Sequence, residues 1–176
     1  MGLRGILALL SLSLIIGVPG TSRAESVASL SALKAAYTLH FLNLIRWEGP
    51  DAGLTFCVLG ESEAGERMLR MLGDKSVRGR GIRTRRLALD VSRAERCDAL
   101  YIPEVHAKQA PALLKRHETT TTVTISDIRR FANEGGVIGF VVVGERLRFD
   151  INVQAASRKR LKVSAKLLEL ARDVIR

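Results

Sequence analysis

The sequence predicts an α/β fold: a mainly parallel sheet with helices on both faces and a C-terminal antiparallel hairpin. Three observations carry that prediction. Short apolar runs at residues 54–59 and 98–102 show little alternation and stop at Gly60 and Pro103, as strands buried on both faces do. Amphipathic stretches with apolar residues three and four apart separate these runs, which is the order of βαβ units. Near the end of the chain, residues 137–143 and 146–152 flank Gly144-Glu145, a two-residue turn signal between β-formers. They read as a hairpin at the end of the sheet.

The elements follow in order. Leu30, Leu33, Tyr37, Phe41 and Leu44 share one stripe of a long helix predicted to end near Trp47-Glu-Gly-Pro50. After the strand at 54–59, a helix runs through Met68 and Leu72. Residues 82–89 are β-prone but carry Arg83, Arg85 and Arg86, which suits a sheet edge, where positive charge discourages pairing with another chain. The strand at 98–102 is followed by a helix over residues 107–116, then by a β-branched run at 119–125. Ser126 stands where an N-cap should, before a predicted helix that carries Ile128 and Phe131 and stops at Gly135-Gly136. Ser164 caps a last helix with Leu167, Leu168, Ala171, Val174 and Ile175 on one face.

The first 24 residues read as a cleavable signal peptide. Arg4 precedes an uncharged run from residue 5 to 18, Pro19-Gly20 breaks it, and Ser22-Arg23-Ala24 presents small residues for cleavage after Ala24. The alternative is an uncleaved anchor, but the run is short of the roughly 20 residues that a spanning helix needs. Residues 25–176 then form a single domain, long enough for a full core and divided by no linker, acidic tail or repeat.

Removing Arg4 and Arg23 leaves 26 basic against 18 acidic residues, a charge of +8. Outside the cytoplasm that charge points to lipid head groups, wall polymers or acidic protein faces, or simply to a basic solvated surface. The densest run, residues 78–86, holds no aromatic residue on which a base could stack, which argues against nucleic acid.

Catalytic and metal chemistry find no constellation. His40, His106 and His117 are scattered, neither cysteine has a ligand-spaced partner, and Ser126-Asp127 lacks the surroundings of a nucleophile elbow. No catalytic residue, cofactor or metal site is therefore predicted. The turn Gly60-Glu-Ser-Glu63 ends a central strand, where α/β folds often bind ligands, and its two carboxylates favour a polar or cationic small molecule over a phosphate. Cys57 and Cys97 are the only cysteines, and an even count in an exported chain favours a disulfide. Two separately buried thiols are the alternative.

With the elements placed, a family resemblance emerges. Lys34-Ala-Ala-Tyr37 with Phe41 and Trp47, Phe56-Cys-Val-Leu-Gly60, Cys97-Asp-Ala-Leu-Tyr-Ile102, Thr124-Ile-Ser-Asp127, Phe131 with Gly135-Gly136, Arg148-Phe-Asp-Ile-Asn152 and Leu167-Leu-x-Leu-Ala171 resemble, in order, the landmarks of the YfiR family of periplasmic proteins. The resemblance implies an α/β protein without enzymatic activity that represses an inner-membrane diguanylate cyclase through its periplasmic sensor region. A peptidoglycan-binding outer-membrane lipoprotein can sequester such repressors. It further implies that Ile138, Phe149, Asp150, Asn152 and Ala156 belong to the partner-contacting part of the domain, with Asp150 the foremost contact. Relatives can carry a second cysteine pair where this chain has Ala132 and Gly139. The apolar stripe of the first helix exceeds what one sheet face covers, which predicts a homodimer. An envelope sensor that binds a small molecule, without a cyclase partner, is the second reading.

Overall fold

The computed structural model describes residues 22–47, 53–90 and 96–176. The element order is α1 (Ser22–Leu44), β1 (Ile45–Trp47), β2 (Leu54–Leu59), α2 (Glu63–Leu72), β3 (Ser76–Val77), β4 (Arg80–Leu87), β5 (Ala99–Ile102), a 3-10 helix (Glu104–Gln109) leading into α3 (Ala110–Arg116), β6 (Val123–Ser126), β7 (Ile138–Val143), β8 (Arg146–Asn152), α4 (Val153–Arg158), β9 (Leu161–Val163), α5 (Ala165–Leu170) and β10 (Asp173–Ile175). Among the described residues, one sheet has the order β10-β8-β7-β6-β5-β2-β4-β3, and β1 pairs with β9 in a separate antiparallel ribbon. Strands β4, β2, β5, β6 and β7 are mutually parallel, and β7 and β8 form the antiparallel hairpin. The predicted fold class is the one observed.

Alternation along the strands divides the core in two. Phe56, Val58, Tyr101, Ile125, Phe140 and Phe149 face α1, α2 and α5, which contribute Phe41, Leu42, Met68, Leu72 and Leu167. On the opposite face Cys57, Leu59, Leu100 and Ile102 meet Ala110 and Leu113 of α3 and the ring of Phe131. Local signals fix several ends. Ser62 caps α2 by accepting from the Gly65 amide (3.0 Å), and Ser164 caps α5 by accepting from the Leu167 amide (3.2 Å).

The structure corrects five expectations. Helix α1 stops at Leu44, because Ile45–Trp47 pairs with β9, and its buried face is Ala35, Thr38, Phe41 and Leu42, with Leu33 of the predicted stripe exposed. No helix forms between β6 and β7. That connection has only eleven residues, at the lower limit for a helical crossover, and Arg130 adopts φ 61°. It folds as successive turns, with Gly136 donating to the Phe131 carbonyl (3.0 Å). A Cβ at Gly136 would lie 2.1 Å from the Phe131 ring, so glycine there lets the ring bury.

The other corrections concern the two sheet edges. Val174 and Ile175 are not on the last helix: α5 ends at Leu170 and β10 pairs in parallel with β8. The hairpin is consequently covered by β10 and is not the end of the sheet. At the other side the two-residue β3 lies outside β4, pairing only with Arg80 and Gly81. Most of the arginine-rich strand still borders the sheet.

Candidate functional site

The hairpin and the helices beside it bring together the residues predicted for partner contact, but they bury them. Ile138, Phe149, Asn152 and Ala156 are all in the interior, and Asp150 is 2% exposed. Phe149 pairs across the hairpin with Phe140, and its ring meets those of Phe41 (4.8 Å between centroids) and Tyr37 (6.1 Å). Asn152 caps α4, accepting from the Ala155 amide at 2.7 Å, and donates to the Ala132 carbonyl at 2.7 Å.

Asp150 is gripped by Arg172, which donates from Nε to Oδ1 (2.7 Å) and from Nη2 to Oδ2 (2.5 Å). This fork is a paired, hydrogen-bonded charge within the fold. The resemblance put Asp150 first among the partner contacts, but nothing in the hairpin pattern signals that its carboxylate is buried and held by a partner 22 residues further on, just before β10.

Besides Glu145 in its turn, what the hairpin exposes is apolar and cationic. Val142 and Val143, beside its tip, are 54% and 49% exposed, and Leu170 of α5 is 56% exposed. A groove of about 420 Å³ runs between α1, β8 and α5, with Tyr37, Leu44, Phe149 and Leu170 on its walls and His40, Arg148 and Lys166 among its polar lining. Sequence reading missed Val142, Val143 and Leu170. Only Leu170 lies off the face that pattern assigns to the core; Val142 falls on the face of Ile138 and Phe140 and is exposed because the hairpin tip runs past the helices, which no local pattern signals.

The cysteines are joined. Cys57 on β2 and Cys97 just before β5 form a disulfide with a Cα separation of 5.9 Å, inside the second core. β2 and β5 are parallel neighbours, and Asp98 donates its amide to the Thr55 carbonyl (2.8 Å), which places Cys97 beside Cys57. At the positions of the relatives' second pair, a Cβ built on Gly139 would stand 3.7 Å from the Ala132 Cβ.

The other candidates resolve into structural roles. Over the turn that follows β2, the His106 Nε2 lies 3.2 Å from the Glu61 carbonyl oxygen, and a Cβ at Gly60 would sit 2.4 Å from that nitrogen and 2.7 Å from Leu89. The crevice at the strand ends is filled by the protein's own side chains, while Glu61 and Glu66 pair with Arg86. Ser126 caps a turn, accepting from Ile128 (2.9 Å) and donating to the Ile102 carbonyl (2.6 Å). Asp127 accepts from the Glu104 amide (2.8 Å) and from Lys34 (2.5 Å), bracing α1 against the 3-10 helix. Burial, and secondarily Asp127, hold the Tyr101 phenol far above its ordinary pKa. Burial lowers the pKa of His117. Among the described residues no group of His, Cys, Asp and Glu could hold a metal ion.

A family model described as YfiR/HmsC-like matches residues 31–172. The matched span runs from α1, through the disulfide and the hairpin, to the arginine that holds Asp150. The chain belongs to the YfiR/HmsC-like family.

Proposed function

We propose that this protein is a periplasmic negative regulator, without catalytic activity of its own, that binds the periplasmic sensor region of an inner-membrane diguanylate cyclase and lowers cyclic di-GMP output. The single observation that carries this reading is family membership over residues 31–172, since the family is one of periplasmic regulatory proteins. Export with cleavage after Ala24 belongs to the same proposal. Most of that leader lies outside the described residues, and the cut would remove the first three residues of α1. Among the described residues no helix is long and apolar enough to cross a membrane.

The groove beside the hairpin supports a contact surface there. Its apolar walls suit a side chain inserted from a partner, and Arg148 and Lys166 suit acidic groups around that side chain. Ile138, Phe149, Asp150, Asn152 and Ala156 act on recognition by holding the hairpin's shape from beneath. Homodimer formation through α1, where Leu33 stays exposed, and sequestration by an outer-membrane lipoprotein that binds peptidoglycan complete the proposal.

Deleting the gene in a strain that expresses the cognate cyclase tests the reading: cyclic di-GMP and surface attachment rise, and the wild-type gene restores both. Leu170→Glu, a change at an exposed position, is expected to fold normally and to restore repression poorly. Unchanged cyclic di-GMP on deletion would reject the function, whereas full repression by Leu170→Glu would reject only the groove.

A further inference from the structure

The turns between β6 and β7 stand where a doubly wound fold ordinarily lays a crossover helix, and they leave that side of the sheet incompletely covered. A pocket of about 470 Å³ remains between α3, the turns and α4. Its volume is that of a small-molecule site. Leu114, Ile128 and Phe131 supply apolar lining, and Lys115, Arg158 and Lys159 supply cations. Glu118 and Glu134 line it too, both exposed, so the excess charge is positive.

Lys159 is the informative residue. It is only 2% exposed, although it stands between two arginines in a run that reads as solvated surface. Its Nζ donates to the His117 carbonyl oxygen, which also accepts from the Thr120 hydroxyl (3.2 Å). An ammonium has three donors, and among the described residues this is the one hydrogen-bond partner of the Lys159 Nζ. No described carboxylate forms an ion pair with Lys159, Lys115 or Arg158, and Glu118 acts on Lys159 only at longer range and less than burial and Arg158 do. A clip between α4 and the end of α3 needs one neutral donor. It does not need a buried, unneutralised charge, which is among the more expensive things a core can contain.

We propose that this pocket binds a small organic anion, its carboxylate held by Lys159 with Lys115 and Arg158 and its apolar body lying on Leu114, Ile128 and Phe131. The anion supplies the charge and the acceptors that Lys159 lacks, and the apolar lining selects against bare inorganic anions. The pocket stands apart from the groove beside the hairpin, so this inference holds or fails independently of the partner contact.

The test is a titration of isotopically labelled protein followed by amide chemical shifts, with phenylacetate and 4-methylpentanoate as probes and inorganic phosphate as the anion without an apolar body. Saturable shifts confined to α3, the β6–β7 turns and α4 are expected for the carboxylates, with a dissociation constant near the millimolar range that ligands of this size reach. Lys159→Met is expected to weaken binding about tenfold while its melting temperature is unchanged or raised. Should that variant fail to fold, the double variant Lys115→Gln/Arg158→Gln, altered only at exposed positions, is expected to weaken binding as well. Absence of saturable shifts with both carboxylates, undiminished binding by the folded variants, or phosphate binding as tightly as phenylacetate would overturn the proposal.

Discussion

The two faces of the sheet are built by different means. Beneath α1 and α2, four rings, Tyr37, Phe41, Phe140 and Phe149, lie within 6.2 Å of one another in successive pairs, and the helices complete a continuous apolar core. Opposite them the core is smaller, the β6–β7 crossover is a set of turns, and a pocket stays open. Discrete links do much of the holding on that side: the Cys57–Cys97 bridge, the Arg172 fork on Asp150, the Asn152 amide on the Ala132 carbonyl and Lys159 on His117. One face depends on area removed from water, which tolerates small changes gradually, whereas the other depends on single bonds whose loss is abrupt.

Reversing the charge at Asp150 is the largest way to break the linked face. Asp150→Lys puts an ammonium into a site that is 2% exposed, facing the Arg172 guanidinium, whose own side chain is 44% exposed, and a charge buried without its partner costs roughly 3–5 kcal/mol. Urea unfolding at neutral pH should show a loss at the upper end of that range. An Asp150→Lys protein as stable as the wild type would mean that the carboxylate is a surface contact after all.

Comparing one phenylalanine on each face sharpens the contrast. Phe149→Ala removes a ring packed between two others and should cost about 4 kcal/mol. Phe131→Ala removes a ring that is equally buried but, among the described residues, stacks on no other ring, so no aromatic pair is lost with it and the penalty should be smaller by about 1 kcal/mol. Equal or reversed penalties in denaturant melts would show that the second face is as closely packed as the first.

The cysteine positions extend the comparison. Replacing Cys57 and Cys97 by Ala opens a bridge of sequence separation 40, worth a little under 4 kcal/mol in the loop-entropy account. Adding one is the complementary test. Ala132→Cys/Gly139→Cys places two thiols on Cβ positions 3.7 Å apart, within the bridging range, and the short loop predicts a gain of about 2 kcal/mol. The gain stays modest because a Cβ at Gly139 also approaches the Ala132 amide nitrogen to 3.2 Å. Non-reducing mass spectrometry shows whether the bridge forms, and thermal melts with and without reductant measure its worth.

How much of this was legible in the sequence differs between the faces in the same way. Strands β2 and β5, the hairpin turn at Gly144-Glu145 and the Ser164 cap follow from apolar runs and local chemistry, and the pairing of two cysteines was favoured by their even count in a chain read as exported. The strands β1, β9 and β10 have three residues each, too few for any period to show. Val174 and Ile175 fit either a helix face or a strand, and the choice is made at a distance: Arg172 donates its amide to the Phe149 carbonyl (2.8 Å) and its guanidinium to Asp150. The burial of Lys159 has no local signature at all. Alternation and helical spacing report area, so they described the packed face well and were nearly silent on the individual polar links opposite.

The smallest expected effect is on pH dependence, and it isolates Lys159 and His117. Burial, and then Arg158, lower the Lys159 pKa to about 8, with Glu118 acting weakly the other way. Burial, Lys159 and Arg116 lower His117 below its ordinary 6.5. Both groups bind protons less readily when folded, so the unfolded chain takes up more protons and stability rises with pH through each window. For His117 that window lies at and below 6.5. For Lys159 it runs from about 8 to its ordinary 10.5, and at pH 7 its full penalty is present. After allowance for solvent in the pocket, that penalty is about 1–2 kcal/mol. Lys159→Met should therefore be more stable than the wild type by that amount at pH 7, with the advantage fading as the pH approaches 10. His117→Gln should flatten the fall in stability between pH 7 and pH 5 without altering the alkaline limb. A Lys159→Met protein less stable than the wild type at pH 7 would make the lysine a structural clip, and the open face would then be held by one link more, with no charge waiting for an anion.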